Sequence, residues 1–182
     1  MALTATMHHV ELTISDVERS VYETLELRVA RHPSESARYL LTRILAYALE
    51  HAEGIAFSKG GLSSVEEPPL SVHDATGLLL AWIEIGAPSA DRLHKATKAA
   101  KSVAIYTHTD MAHLRREADT RKIHRVETIQ VWRFEPAYLD LLAESLDRRT
   151  AVEVVRSDGR LYVTIAGNLH EAELSPQQLA IV

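Results

Sequence analysis

A mixed α/β fold, with one mixed central sheet flanked by helices, is what this sequence predicts, and three observations predict it. Between Leu70 and Leu146, apolar runs of strand length alternate with stretches of helical periodicity, in the order strand, helix, strand, helix, strand, helix. That order builds a parallel or mixed sheet covered by helices. Both ends of the chain are strand-rich, with two-residue alternation in the N-terminal segments. Finally, 182 residues with no internal repeat, linker or low-complexity segment fit a single domain, 1–182, large enough to bury a core.

The elements follow in order. Thr6 to Ile14 alternates and reads as a strand, with a turn beginning at Ser15-Asp16. Val21 to Ala30 alternates more clearly and is expected to run antiparallel to it. Pro33-Ser34 opens a helix with Ser34 as N-cap; Leu40, Leu41, Ile44, Leu45 and Ala48 form its apolar stripe, and Gly54 stops it. Ile55 to Ser58 is a short strand, and Lys59 to Pro69 a loop rich in Gly, Ser and Pro. Leu70–Asp74 and Leu78–Ile85 are strands joined at Ala75-Thr76-Gly77. Pro88 to Asp91 starts a helix that reaches about Ala99. Val103 to Thr107 is a strand, Asp110 to Thr120 a polar helix, Val126 to Phe134 a strand and Pro136 to Leu146 a helix. Thr150–Val155, Leu161–Ile165 and Leu169–Leu174 read as small antiparallel strands, with Asp158-Gly159 as a hairpin turn.

Composition narrows the function classes. A content of 46% hydrophobic and 25% charged residues is ordinary for a globular protein. No apolar run approaches the roughly 20 residues of a membrane span, so no membrane partner is expected. The first residues lack the basic-then-apolar pattern of a signal peptide, and a cytoplasmic location is expected. With no cysteine there is no disulfide, thiolate metal site or cysteine nucleophile. The net charge of -5 argues against a general duplex-DNA binder, but it is unevenly spread. Residues 92–125 hold 9 basic and 3 acidic residues against 11 and 22 elsewhere. A basic face on an acidic body suits a phosphate-bearing ligand, nucleic acid included, and equally an ordinary solvated helix face.

The most informative stretch is Leu70 to Lys101. Asp74 stands before an almost wholly apolar strand whose one charge is Glu84, and the basic run Arg92, Lys95, Lys98, Lys101 follows. Burying an unpaired carboxylate costs on the order of several kcal/mol, so Glu84 needs a cation, either a metal or a lysine. Asp74, on a neighbouring strand, is the candidate second carboxylate. The two together would hold one hard divalent cation such as Mg²⁺ and lower the pKa of a bound water. Residue 86, on the same face as Glu84, is glycine, so a basic group must come from the next helix. Asp91, Lys95 and Lys98 share a face there, and Lys95 or Lys98 is the candidate. The plainer alternative is that Asp91 and Lys95 form a surface pair worth a few tenths of a kcal/mol.

Several strings carry a family resemblance: Arg31-His32-Pro33-Ser34-Glu35, Glu66-Glu67-Pro68, His73-Asp74-Ala75-Thr76-Gly77, Trp82-Ile83-Glu84-Ile85-Gly86 and Arg92-Leu93-His94-Lys95-Ala96. Through them the chain resembles the bacterial YaeQ family, from the N-terminal strands to Val131-Trp132. The site arrangement resembles the PD-(D/E)XK nuclease superfamily. The resemblance implies a restriction-endonuclease-like core and a metal-dependent nuclease-like site using Mg²⁺ or Mn²⁺. Under it, Asp74 matches the strand aspartate and Glu84 the second acidic residue. The motif lysine is missing at Gly86, with Lys95 its relocated substitute. Glu53, or less well Glu50, matches the first-helix acidic residue. Both glutamates stand at a helix end whose macrodipole disfavours anions, a hint that one has a cation partner.

Other chemistries find less support. His8 and His9 point to opposite faces of a strand and do not chelate together, and His108 and His113 lack the His-Glu-x-x-His pattern of a zinc site. No Gly-rich phosphate loop or Gly-x-Ser-x-Gly elbow occurs. Two Phe, two Trp and six Tyr supply a poor base-stacking platform, and Trp82 and Trp132 are expected in the core. Two readings stand. One is a metal-dependent phosphodiesterase in which Asp74 and Glu84 hold the ion, Glu53 assists and Lys95 or Lys98 positions the nucleophile. The other is a non-catalytic nucleic-acid or protein binding module on the same fold.

Overall fold

The computed structural model describes residues 4–60 and 66–180, and the chain divides into two compact units. The first comprises residues 1–51 and 135–175, the second 52–134 and 176–182. The fold is mixed α/β, but it holds two mixed sheets rather than the one central sheet expected. The strands Thr6–Asp16 and Arg149–Ser157 bury one face only, whereas Ser102–Thr107, at the centre of the other sheet, is buried on both.

In the first unit, β1 (Thr6–Asp16) and β2 (Val21–Arg31) form the expected antiparallel hairpin. β1 stays extended through Asp16, and the turn falls at residues 17–20 rather than at Ser15-Asp16. Val10, Leu12 and Ile14 are buried while Glu11 is exposed, the alternation read from the sequence. β8 (Arg149–Ser157) lies parallel to β1, and β9 (Arg160–Ile165) and β10 (Asn168–Glu173) continue antiparallel beyond it. The strand order is β10-β9-β8-β1-β2. α1 (Ala37–Leu49) and α4 (Pro136–Ala143) pack together in this unit, and α1 lies against β1 and β8.

α1 starts two residues later than expected. Its N-cap is Ser36, whose side chain accepts from the Tyr39 amide, while Ser34 is engaged with His32 Nδ1 at 2.6 Å. The start is set by a buried ion pair. Glu35 receives both Nε (2.8 Å) and Nη2 (2.9 Å) of Arg43, and Nη2 also donates to the Ala30 carbonyl at the end of β2. α1 ends at Leu49 with Glu50 as its cap, so Gly54 does not terminate it. Gly54 sits in a later turn at φ 87°, where a Cβ would collide with the His73 carbonyl oxygen.

The second unit carries β3 (Ile55–Phe57), β4 (Leu70–His73), β5 (Leu79–Ile85), β6 (Ser102–Thr107), β7 (Gln130–Arg133) and a short β11 (Gln177–Gln178). Their order is β11-β7-β6-β5-β4-β3. β3, β4 and β5 form an antiparallel meander; β5, β6 and β7 run parallel. α2 (Ala90–Ala99) and α3 (Met111–Ala118) are the crossovers, capped by Ser89 and Asp110. Residues 126–129, expected in the strand, form a 3-10 turn and its exit. One side of the sheet builds a core from Trp82, Val103, Ile105 and Val131 against Leu93, Ala96, Met111 and Leu114. Five residues of the expected 59–69 loop, 61–65, lie outside the described residues. Among the described residues, no helix is long and apolar enough to cross a membrane.

Breaking a buried ion pair by removing one partner leaves an uncompensated charge. Arg43→Ala is therefore expected to lower the unfolding free energy by about 3–5 kcal/mol in equilibrium denaturation. A loss below about 1 kcal/mol, the range of an exposed pair, would show that Glu35 does not depend on Arg43.

Candidate functional site

Glu84 is the charge that the sequence singled out, and it is buried, with 3% of its side chain exposed. It lies near the C-terminal end of β5, on the same face as Trp82, as strand alternation requires. Trp82 Nε1 donates to Glu84 Oε1 at 2.6 Å. Arg92 Nε donates to the same oxygen at 2.5 Å, and the guanidinium lies 5.7 Å from the Trp82 ring centroid. Glu84 Oε2 has no hydrogen bond among the described residues. Burial pushes the Glu84 carboxyl above the usual carboxylate range, and the Trp82 and Arg92 contacts only partly offset it.

Local structure explains why the cation is an arginine on α2. At Gly86 the chain leaves β5 with φ 89°, a backbone conformation costly for any residue with a Cβ. A lysine at 86 would meet that strain, so no basic group follows on the strand. Ser89 then caps α2 by accepting from the Arg92 amide, which fixes Arg92 on the first turn beside the end of β5.

The segment before β4 reaches the same end of the sheet. Leu70 pairs with Ile83 and Ser71 with Trp82, so the residues just before Leu70 lie near Glu84. Arg92 Nη2 donates to the Glu67 carbonyl at 2.8 Å, and Glu67 Oε2 accepts from Ser58 Oγ at 2.9 Å. Lys95 Nζ meets Glu66 Oε2 at 2.5 Å, which holds the Glu66 carboxyl below the usual range. An open pocket of about 440 Å³ lies beside Trp82, lined also by Phe57, Lys59, Glu66, Glu67 and His73.

The other expected site residues go elsewhere. The Asp74 amide donates to Leu78 O, so Asp74 stands level with the start of β5. Glu84 lies six residues further along, about 20 Å at the rise of an extended strand, and the two carboxylates cannot share one ion. Asp74 instead closes its own turn. Its Oδ1 accepts from the Thr76 amide, the Thr76 hydroxyl and the Leu78 amide, bonds that hold its carboxyl below the usual range. Glu53 is exposed in the turn after α1, at the end of the sheet where Gly54 meets His73, and so beyond Asp74 rather than beside Glu84. Glu50 caps α1 in the first unit. Lys95 serves Glu66, and Lys98 is exposed on the last turn of α2. Among the described residues, no three His, Asp or Glu side chains are placed to hold a metal ion.

Sequence reasoning thus missed Arg92 as the partner of Glu84, although Ser89, an N-cap three residues earlier, was a legible signal for its position. Glu66 and Glu67 carried only the resemblance. Their place next to Glu84 follows from strand register, which a single sequence leaves open.

A second feature surrounds α2. The loop 121–125 lies along the helix: Arg121 pairs with Asp91, the His124 amide donates to His94 Nδ1 at 3.2 Å, and Arg125 Nη2 donates to the Thr97 (2.7 Å) and Ala100 carbonyls. Arg125 holds φ 49° to do so and caps the helix C-terminus. Lys98 and Lys122 stand exposed on this surface. Partial burial, then the charges of Lys98, Arg121 and His124, hold His94 below the ordinary imidazole range. A pocket of about 470 Å³, lined by Arg121, Lys122, His124 and Arg125, opens beside the loop.

Comparison with known proteins places these features in context. A family model described as "YaeQ protein" matches residues 1–174. "Uncharacterized protein YaeQ" of Salmonella typhi is 30% identical over 98% of both chains, and its Escherichia coli K12 counterpart 27% over the same shares. Among solved structures, the YaeQ protein from Pseudomonas syringae superposes with a TM-score of 0.85 at 29% identity, covering 94% of this chain and 95% of that one. The YaeQ protein from Xanthomonas axonopodis pv. citri gives 0.85 at 27% identity, covering 96% and 99%.

The raised pKa of Glu84 has a sign that can be checked. Native Glu84 binds its proton more tightly than unfolded Glu84, so stability is highest below the unfolded carboxyl pKa. It is lost as pH rises through the native value. Glu84→Gln keeps an oxygen for Trp82 and Arg92 and removes the charge. The variant is expected to melt above wild type at neutral pH, with the difference vanishing under acid conditions. Thermal melts at several pH values test this; a variant less stable at neutral pH than wild type would show that the ion pair outweighs its burial.

Proposed function

The chain belongs to the YaeQ family, and we propose that its second unit is a restriction-endonuclease-like core that binds a nucleic-acid phosphate backbone on the cationic α2 face. The order β3-β4-β5-α2-β6, an antiparallel meander followed by a parallel crossover, supports the core assignment. One observation carries the binding reading. Lys98 and Lys122 stand exposed beside Arg121, His124 and Arg125 along α2, a collection of cationic side chains on one surface. A polyanion would complete it. Such contacts are insensitive to base sequence and weaken with salt.

At Glu84, Arg92 takes the position beside Oε1 that a metal would need. With that pair closed, the donor set does not fit a divalent ion. A second reading, a Mg²⁺- or Mn²⁺-dependent nuclease-like phosphodiesterase, is favoured by one observation. Glu84 keeps Oε2 without a hydrogen bond among the described residues, and its burial is costly for a purely structural group.

Fluorescence anisotropy with labelled single-stranded DNA, duplex DNA and structured RNA in chelator tests the first reading. Binding is expected at low salt, and replacing Lys98 or Lys122 by Ala should each reduce the slope of log affinity against log salt by about one. No binding to any of the three at low salt would overturn it. Incubation of the same substrates with Mg²⁺ or Mn²⁺ tests the second: metal-dependent cleavage lost in Glu84→Gln would establish it, and intact substrates would remove it.

A further inference from the structure

The five-stranded sheet of the first unit ends at β2, which is hydrogen-bonded to β1 alone. β2 is 11 residues long, so an extended row of backbone donors and acceptors has no strand partner among the described residues. Natural proteins blunt so long an edge by charged side chains, proline, a bulge or a covering element, and here the charges Glu23, Glu26, Arg28 and Arg31 stand on it. β2 contains no proline, and its register with β1 runs unbroken from Val21 to Arg31.

The charges on this edge are badly placed for a lone sheet. Glu26 stands directly opposite Glu11, and Arg28 directly opposite His9, which in turn faces Arg149 on β8. Like charges across a strand pair are destabilising. Neither Glu26 nor Arg28 has an ion-pair partner among the described residues. Both belong to the half of β2 that points away from the buried Leu27 and Val29.

We propose that β2 is the interface through which two copies of this chain associate, pairing antiparallel about a two-fold axis at Leu27 and joining two five-stranded sheets into one of ten. A two-fold pairing that keeps the buried faces together must centre on a residue. Centring on Glu26 opposes Glu26 to itself, and centring on Arg28 opposes Arg28 to itself. Centring on Leu27 sets Glu26 against the partner's Arg28 twice, Leu25 against Val29 twice and Leu27 against Leu27. It also sets Glu23 against Arg31 at both ends, where Arg31 keeps its Nε on the Glu35 carbonyl. Among registers centred from residue 25 to 29, only this one brings opposite charges together. It is an isologous contact, and it brings an arginine to the glutamate that Glu11 otherwise repels. Strand-edge pairing buries less surface than a standard interface, so the dimer is a concentration-dependent one.

Sedimentation equilibrium and light scattering on the full chain test this. The wild-type mass is expected to rise towards twice the chain mass with concentration. Glu26→Arg sets Arg against Arg28 and Arg28→Glu sets Glu against Glu26, so each variant alone should lose the dimer. An equimolar mixture of the two restores opposite charges at every position and should recover it. Neither change threatens the fold, since Glu26→Arg converts a like-charge pair with Glu11 into an opposite one and Arg28 is exposed; circular dichroism melts verify this. A wild type monomeric at every soluble concentration, a dimer indifferent to both reversals, or a mixture that stays monomeric would each overturn the proposal.

Discussion

The second unit is organised around one requirement: a carboxylate buried at the end of β5 must have a cation within hydrogen-bonding distance. Arg92 meets it, and the surroundings of the site follow from that contact. The first turn of α2 is held against the strand end, Trp82 is oriented by its own bond to the same oxygen, and the segment entering β4 is tied down through the Glu67 carbonyl. The left-handed backbone at Gly86 keeps any basic group off the strand itself, and among the described residues it is the helix that supplies the cation. The requirement was visible as a charge in an apolar run. Its solution was not, because a strand residue and a helix residue eight positions apart meet only after the chain has turned.

That contrast marks where the sequence was legible. Periodicity located β1, β2, β4, β5, β6 and the helices between them, since alternation and apolar stripes are local properties. It could not reveal that the strands form two sheets, because sheet membership is decided by pairing across long separations. The helix caps show the same limit on a smaller scale. Ser34 and Ser36 are equally good caps by residue type, and the choice falls to Ser36 because Glu35 is drawn into its pair with Arg43.

The displaced carboxylates make the point most sharply. Asp74 precedes a glycine turn, and an aspartate there can bind a metal or close the turn with its own side chain. Three hydrogen bonds to Thr76 and Leu78 decide for the turn. Matching Asp74 to a catalytic position followed sequence order, whereas proximity to Glu84 follows register. Pairing of Leu70 with Ile83 puts Glu66 and Glu67, not Asp74, at the relevant end.

The first unit gives the counter-example, two acid and base pairs on adjacent parts of one chain with opposite fates. Glu35 and Arg43 are buried, doubly bonded and closed, so they fix the passage from β2 into α1 and offer nothing to a ligand. Glu26 and Arg28 are exposed, Glu26 faces Glu11 across the sheet, and neither has an ion-pair partner among the described residues. A carboxylate opposite a carboxylate weakens the hairpin that holds it, and Arg or Lys at Glu11 would remove that cost at no loss of packing, since the side chain is exposed. The physical account of such an arrangement lies outside the monomer's own stability. The same argument applies to Glu84, where burial raises the proton affinity despite a bound arginine. In both units, the informative charges are those whose surroundings do not repay their position.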